Sequence, residues 1–391
     1  MTAERVAIPT TGTRQQKGRT MPDASNTPLG PQEVFATLTG FKRTALLRTA
    51  LELRLFDAIE AIDVTDVADA TDANGAAAAP TARQIAERLG SDPRATALLL
   101  DALASGGLLA ADGDGYRLLP GSAPLLTSAG PGYVGGIARI AASYGEWDVF
   151  GRLTETVRGG APIAGIDAGD PDFAYWTDFA EHTTPATAKG AEMVADLLQP
   201  WLDGPDAPDG PGSPRVLDVG CGSGAFGLAL AARHPRARVT LQDWPAVLPA
   251  AQRNAEVRGL ADRVSLSPGD AFGPGLPEGP YDVVVAGNLL FLFDPERAAT
   301  LMRRLTAVLA PGGRVVVASF MTGDGADGSE HAHLLNLLML SWTRGGELLS
   351  PRAYQDMATG AGLADARTHR RAGVPLQAVV ATRPTKEERP A

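Results

Sequence analysis

Residues 215–227 read Arg-Val-Leu-Asp-Val-Gly-Cys-Gly-Ser-Gly-Ala-Phe-Gly, and this stretch decides the fold of the chain. An apolar run ends in three glycines at alternate positions, and a helical pattern over residues 228–233 follows at once. The pattern predicts a buried parallel strand, a tight loop and a helix N-terminus, which is where ligands bind in open α/β sheets. The glycines let the backbone approach such a ligand closely.

Acidic residues end the strands that are predicted around this loop. Further strands are predicted over residues 239–243 and 264–272, so that Asp218, Asp243 and Asp270 should line one edge of the sheet. Carboxylates there would repel the pyrophosphate of a dinucleotide, whose loop has the spacing Gly-x-Gly-x-x-Gly. They suit S-adenosylmethionine, which carries hydroxyl, amine, ammonium and sulfonium groups and no phosphate.

The Asp-Val-Gly-Cys-Gly-Ser-Gly turn, the acid at 243 and the Gly-Asp-Ala-Phe segment at 269–272 resemble the cofactor segments of class I S-adenosylmethionine-dependent methyltransferases. The resemblance implies that Asp218 lies near the methionine amino group and that Asp243 binds the ribose hydroxyls. The adenine is then expected at Asp270 and Phe272. The remaining expected cofactor contacts are Gly220, Gly222, Gly224, Trp244, Ala271 and Asn288.

Length, charge and cysteine content limit the classes of protein to which the chain can belong. The 391 residues can form two domains, and the net charge of −10 argues against nucleic acid or an anionic membrane surface as a partner. The single cysteine, Cys221, fits a reducing compartment. Neither a signal peptide nor an apolar stretch of 18 residues is found, so a cytoplasmic protein is predicted.

The chain divides by pattern into four parts. Residues 1–31 are predicted to be a disordered extension, and residues 32–125 a winged-helix domain. Connecting helices that form a pocket are predicted over residues 126–202, and the cofactor domain over residues 203–391. The expected fold class is therefore α/β, with a Rossmann-like doubly wound sheet and a second, mainly helical domain.

The winged-helix prediction rests on a capped helix at 81–90, a second helix at 93–105 and two short strands around an Asp-Gly turn at 108–118. Such a module raises the alternative of a DNA-binding regulator. The second helix offers one cation, Arg94, and the hairpin is acidic, which disfavours phosphate contacts.

Residues 35–125, with the segments 47–57 and 115–120, resemble instead the dimerisation domain of small-molecule O-methyltransferases. That family includes plant phenolic, acetylserotonin and bacterial polyketide-tailoring enzymes. The resemblance implies a homodimer that exchanges helices. It also implies methylation of a small aromatic or polyketide-like natural product, as in secondary metabolism and antibiotic biosynthesis.

At the catalytic positions, this sequence differs from the pattern of the resembled family. A phenol has a pKa of about 10, so it needs a base at neutral pH. A fourth strand is predicted over residues 281–288. In the resembled family the base is a histidine after this strand, but here the position holds Phe291. The family's supporting glutamate in Gly-Gly-x-Glu is also displaced, because Glu347 stands one residue early.

Three explanations stay open. Another histidine can serve as base, and His182 and His333 are the candidates chosen, with His331 as a third. The His331–His333 pair also suggests a metal, but spacing supplies no third ligand and no metal is predicted. A second explanation is a nucleophile that needs no base, such as an acidified enol, an electron-rich carbon or a thiol, which favours C-methylation or an easily ionised substrate. The third is a fold that keeps the cofactor but catalyses hydroxylation, decarboxylation or a pericyclic reaction.

Aromatic residues recur in the connecting segment, and the helix after the histidine pair faces substrate in the resembled family. For the aromatic residues of the connecting segment, packing in the core is the alternative to a substrate role. The expected substrate contacts are Trp147, Trp176, Phe179, Phe291, Asn336 and Met339.

Overall fold

A computed structural model describes most of the chain. The described residues are 29–65, 79–130, 132–163, 165–182, 185–204, 213–323 and 329–385. The predicted N-terminal extension, apart from residues 29–31, lies outside them. Residues 66–78 and 205–212, where the sequence is rich in Ala, Asp, Gly and Pro, also lie outside them.

The helices of the described chain are α1 Pro31–Glu52, α2 Leu55–Thr65, α3 Ala82–Leu89, α4 Pro93–Ser105, α5 Ala123–Leu126, α6 Gly135–Ala141, α7 Tyr144–Gly151, α8 Leu153–Gly159, α9 Tyr175–Glu181, α10 Pro185–Leu202, α11 Ala225–Arg233, α12 Leu248–Val257, α13 Pro295–Ala307, α14 Glu330–Trp342 and α15 Pro351–Gly360. The strands are β1 Ala110–Asp112, β2 Gly115–Arg117, β3 Arg215–Val219, β4 Arg238–Asp243, β5 Val264–Pro268, β6 Tyr281–Gly287, β7 Leu309–Ser319, β8 Ala364–His369 and β9 Gln377–Thr382.

Seven strands form one sheet in the order β5-β4-β3-β6-β7-β9-β8. The first five are parallel, whereas β9 runs antiparallel to both β7 and β8. The chain proceeds outward from β3 in one direction through β4 and β5, and then in the other through β6. The strand order therefore reverses between β3 and β6, and the crevice at such a switch point is the ligand site of open α/β sheets.

Alternate residues of the central strands enter two apolar cores, one on each face of the sheet. Val216 of β3 packs in a core with α10, α11 and α14, while Leu217 packs in the other with α13 and α15. The alternation follows from the two-residue period of a strand. Helices on both faces confirm the doubly wound fold class.

The N-terminal region has its own core, in which Leu55, Phe56 and Ile59 of α2 contact α3 and α4. Thr81 and Gln84 form a capping box at the start of α3, and Gly90 ends that helix in the left-handed conformation. The helix, turn, helix and hairpin order predicted for this region is confirmed. Among the described helices, none is long and apolar enough to cross a membrane.

Candidate active site

A cavity of about 1340 Å³ lies at the carboxyl ends of the central strands. The glycine-rich loop after β3 forms one end, and residues of α1, α6, α7, α9 and α14 form the other. Small-molecule sites usually measure about 300–1,000 Å³. The space is therefore large enough for two ligands side by side.

The glycine-rich loop presents bare backbone to this cavity. Gly220 and Gly222 line it with φ angles of 61° and 52°, a region that favours glycine. A Cβ at Gly222 would have no atom within 4 Å, so its open side can receive a ligand. Gly224 is the N-cap residue directly before α11 and is not among the lining residues, so its role is to start the helix.

Asp243 connects the end of β4 to the loop. Its carboxylate accepts hydrogen bonds from the backbone amides of Gly222, at 2.8 Å, and Trp244, at 2.7 Å. Burial raises the pKa of Asp243 to about 6, although the two amides act in the opposite direction. Both Asp243 and Trp244 line the cavity.

Asp218 lies beneath the loop and is not among the residues that line the cavity, although its Oδ1 atom is buried without a hydrogen-bond partner among the described residues. Its expected place beside the methionine amino group stays a prediction. Its side chain is 1% exposed, and Oδ2 accepts a hydrogen bond of 2.8 Å from the amide of Gly227 in α11. Burial raises the pKa of Asp218 to about 7. The contact holds the N-terminus of α11 against the sheet, because β3 ends only after the next residue and turns this side chain inward.

The expected adenine segment lines the cavity through Asp270, Ala271 and Phe272. Asp270 accepts a hydrogen bond of 2.9 Å from the amide of Phe272, which sets the turn. The Phe272 ring meets Phe293 edge-on at 5.0 Å, and the Arg297 guanidinium lies 4.6 Å from it. These groups form an aromatic wall at the cofactor end.

Asn288 adds a buried acceptor to the cofactor end. It lines the cavity in the left-handed conformation with φ of 51°, held by its amide to the Ala318 carbonyl at 2.8 Å. Its Oδ1 atom is buried and has no hydrogen-bond partner among the described residues. A buried acceptor without a partner requires a donor. S-adenosylmethionine is rich in donors, so the residues at this end fit that cofactor.

Aromatic and apolar side chains form the other end of the cavity. Of the expected substrate contacts, Trp147, Trp176, Phe179, Phe291 and Met339 line it. Phe291 is only 5% exposed, so it forms a tightly packed part of the wall.

Asn336 is not among the lining residues, which corrects its expected substrate role. Its Oδ1 accepts a hydrogen bond of 2.9 Å from the amide of Leu348, so it ties α14 to the segment that follows. Glu347 is exposed and does not line the cavity, because the buried position falls on Leu348.

The two histidines chosen from the sequence do not reach the cavity wall. His182 follows α9 and packs against α6 so closely that a Cβ on Gly136 would lie 2.7 Å from Nδ1. His331 and His333 are both exposed, but of the two it is His331 that lines the cavity, with its ring 4.9 Å from that of Phe320. Residues two apart lie on different faces of a helix, which separates the pair.

Sequence reasoning missed an acidic residue in the aromatic end of the cavity. Glu146 of α7 lines it and accepts a hydrogen bond of 3.1 Å from the Tyr175 hydroxyl of α9. Burial raises the pKa of Glu146 to about 7, and burial beside this carboxylate raises the pKa of Tyr175. A glutamate directly before a predicted wall residue, Trp147, was the available signal.

Comparisons with known proteins agree with this geometry. Residues 210–364 match the O-methyltransferase domain, and residues 35–128 match the O-methyltransferase dimerisation domain. The chain is 28% identical over 351 residues to a 3-hydroxy-5-methyl-1-naphthoate 3-O-methyltransferase of Streptomyces sahachiroi, covering 88% of this chain and 92% of that protein.

Two further similarities bear on the chemistry and the fold. An aclacinomycin 10-hydroxylase of Streptomyces purpurascens is 32% identical over 323 residues, covering 81% of this chain and 80% of that protein. A crystal structure assigned as an O-methyltransferase of Nostoc punctiforme PCC 73102 is 27% identical, with a TM-score of 0.77. That superposition covers 91% of this chain and 100% of the crystallised chain.

Proposed function

The chain belongs to the family of S-adenosylmethionine-dependent small-molecule O-methyltransferases, and we propose that it methylates a small aromatic or polyketide-like natural product. The observation that carries the proposal is the continuous cavity that joins the glycine-rich loop to an aromatic wall. Holding two reactants in line in one such space removes much of the entropic barrier to their reaction.

The cofactor end is assigned as follows. Asp243 takes the ribose hydroxyls, and Asp270, Ala271 and Phe272 surround the adenine. When bound, S-adenosylmethionine supplies an electrophilic methyl group on a positively charged sulfur. The backbone of Gly220 and Gly222 approaches the cofactor, and Trp244 and Asn288 complete the wall. Asp218 and Gly224 support the loop and α11 from behind.

The substrate end favours a planar apolar molecule. Trp147, Trp176, Phe179, Phe291 and Met339 offer ring faces and apolar edges, which bind aromatic rings through burial and stacking. The similar Streptomyces sahachiroi enzyme is named for a hydroxylated naphthoate. We propose a fused-ring phenol of comparable size as the substrate class.

A homodimer is part of the proposal. The N-terminal half of α1 exposes an apolar stripe, with Phe35 and Leu38 each 68% exposed and Phe41 57% exposed. A stripe of this size on an isolated helix is typical of an interface. Phe41 also lines the cavity, so pairing of two subunits would change its surroundings. The one cysteine is buried, and we propose a cytoplasmic enzyme.

The product mass tests the reaction. Purified protein is incubated with S-adenosylmethionine carrying a trideuterated methyl group and a panel of hydroxylated naphthalenes. The proposal expects a product heavier by one trideuteromethyl group in place of hydrogen, with one S-adenosylhomocysteine formed per product. Turnover of no panel member by a protein that binds the cofactor would contradict the proposed substrate class.

A second candidate is a reaction without methyl transfer. Phe291 at the position of the family histidine, and the 32% identity to an enzyme named as a hydroxylase, favour it. The same mass measurement separates the two, because a product that gains oxygen and no label would identify the second candidate.

A further inference from the structure

Glu146 and Tyr175 form a carboxylate–phenol pair that lines the same cavity as the glycine-rich loop. The Tyr175 hydroxyl donates a hydrogen bond of 3.1 Å to Oε1 of Glu146. Among the described residues, no donor reaches Oε2, and no cation lies within ion-pair distance of the carboxylate. One carboxylate oxygen is thus fixed by Tyr175, while the other is left for a ligand.

The charged groups on the elements around Glu146 are engaged elsewhere or lie in solvent. Asp178 of α9 is exposed, and His331 of α14 lines the same cavity against Phe320. Ion pairs engage the other charged groups. Arg48 pairs with Glu52 within α1, and Arg253 of α12 pairs with Glu181 of α9. Arg152, which lies between α7 and α8, pairs with Asp148 of α7 and Glu155 of α8.

The walls around this pair are aromatic. The Tyr175 ring meets Trp342 edge-on at 4.5 Å and Trp176 at 5.4 Å, and it stacks on Phe179 at 6.0 Å. An unpaired carboxylate in apolar surroundings destabilises a fold, and such groups are concentrated at functional sites. A purely structural contact between α7 and α9 would not need a charge.

We propose that Glu146, oriented by Tyr175, is the general base that removes the proton from the hydroxyl group to be methylated. Glu146 is then a catalytic residue and Tyr175 a positioning residue. The inference rests on the proposed function and deepens it, because it specifies oxygen as the methyl acceptor and a protonated phenol as the substrate form.

The step balances in atoms and charge. The substrate hydroxyl donates its proton to Oε2 of Glu146, and the electron pair of the O–H bond becomes available on oxygen. That oxygen forms a bond to the methyl carbon as the carbon–sulfur bond breaks, and the pair of that bond stays on sulfur. Glu146 returns the proton to water after the product leaves.

Phe291 and the proton affinity of Glu146 support the assignment. Phe291 removes the proton acceptor from the family's position, so the cavity needs one elsewhere. Burial raises the pKa of Glu146 to about 7, close to the working pH that suits a general base. His331 is the competing base, and it differs in being exposed at the start of α14.

The test uses two probes, 2-naphthol, which is protonated at neutral pH, and 4-nitro-1-naphthol, which is largely ionised at pH 8. Rates of labelled methyl transfer are measured from pH 5.5 to 9 for the wild type and for Glu146→Gln. We expect Glu146→Gln to lower kcat with 2-naphthol by about 10²–10⁴-fold and to abolish the rise of rate with pH near 7. With the ionised probe the loss should be far smaller.

Further variants separate the base from its support. Tyr175→Phe should keep a pH-dependent rate with its midpoint displaced, because the carboxylate remains but loses its donor. Glu155→Gln is the matched control, since it removes an exposed carboxylate from the adjacent α8. Its pH profile should equal that of the wild type. If His331→Asn removes the pH dependence and Glu146→Gln keeps it, the assignment is overturned.

Proton uptake gives a readout without turnover. Binding of 4-nitro-1-naphthol to the S-adenosylhomocysteine complex at pH 8 is followed by calorimetry in two buffers of different ionisation enthalpy. When the naphtholate binds to the wild type, the complex should take up a proton from solution, which the naphtholate oxygen and the Glu146 carboxylate then share. Binding to Glu146→Gln should take up none. Equal uptake by both proteins would overturn the assignment. Failure of the wild type to bind either probe would instead contradict the aromatic-substrate proposal, and the assignment with it.

Discussion

The carboxylate of Asp243 accepts a hydrogen bond of 2.8 Å from the backbone amide of Gly222, across the mouth of the glycine-rich loop. The bond joins the end of β4 to the loop that follows β3. It leaves the acid on the cavity wall while fixing the loop that would face the cofactor. One side chain therefore sets both the shape and the charge of the cofactor end.

The first prediction concerns the affinity for the cofactor. Asp243→Ala should weaken S-adenosylmethionine binding by about 10- to 100-fold, because hydrogen bonds to a charged group contribute about 1.5–3 kcal/mol. Isothermal titration calorimetry measures the effect. Asp262→Ala is the control, because Asp262 is an exposed acid in the same domain. An unchanged dissociation constant for Asp243→Ala would disprove the ribose assignment.

The second prediction concerns the pH dependence of that affinity. Burial raises the pKa of Asp243 to about 6 in the free protein, and its ionised form is the one that binds hydroxyl donors and favours a cation. Affinity should be constant above pH 7 and fall by up to about tenfold per pH unit below 6. Calorimetry from pH 5 to 8 checks the slope. The part of this pH dependence that is due to Asp243 should be absent in Asp243→Asn. Equal slopes for the variant and the wild type would refute the prediction.

The third prediction concerns stability. The pKa of Glu146 is about 7 in the fold against an ordinary 4.5, so the proton stabilises the folded state. This stabilisation is complete below pH 4.5 and is lost as pH rises through 7. Glu146→Gln should therefore be more stable than the wild type at pH 8 by about 2 kcal/mol, allowing for contact with water on the cavity side.

Chemical unfolding at pH 5 and pH 8 measures this difference. Glu155→Gln should show none of it, because that exposed carboxylate forms a surface ion pair with Arg152. The difference in the free energy of unfolding between Glu146→Gln and the wild type should be larger at pH 8 than at pH 5. An equal difference at both pH values would contradict the destabilisation by a buried, ionised Glu146.

The fourth prediction concerns the oligomeric state. Leu38→Arg places a charge in the apolar stripe of α1, where Leu38 is 68% exposed in the single chain. Burying that charge in an interface destabilises the pair strongly. Gel filtration with light scattering should show a dimer for the wild type and a monomer for the variant. Val257→Arg, at an 88% exposed position of α12, should remain dimeric.

The strands of the cofactor domain were predictable from the sequence almost to the residue. Runs at 215–219 and 239–243 became β3 and β4 because apolar residues there face two cores. The third strand was predicted too long. β5 ends at Pro268 because Gly269 follows with φ of 128°, which leaves Asp270 in a turn.

The predicted site residues that do not line the cavity share one cause. Asp218 has the residue type and position of a cofactor contact, but its side chain is turned beneath the loop toward Gly227. His182 and His333 have suitable chemistry, but one packs against α6 and the other faces solvent. A motif specifies which residue types occur, and the direction of each side chain depends on the element packed against it.

The sequence by itself determined the sheet, the glycine-rich loop and the absence of a histidine at position 291, because these follow from local periodicity, backbone preference and residue identity. Only the tertiary structure decided which side chains share the cavity. Glu146 and Tyr175 are 29 residues apart in the chain, and their contact requires α7 and α9 to border the same cavity. Burial and pKa depend on such distant neighbours, so neither could be read from the local pattern.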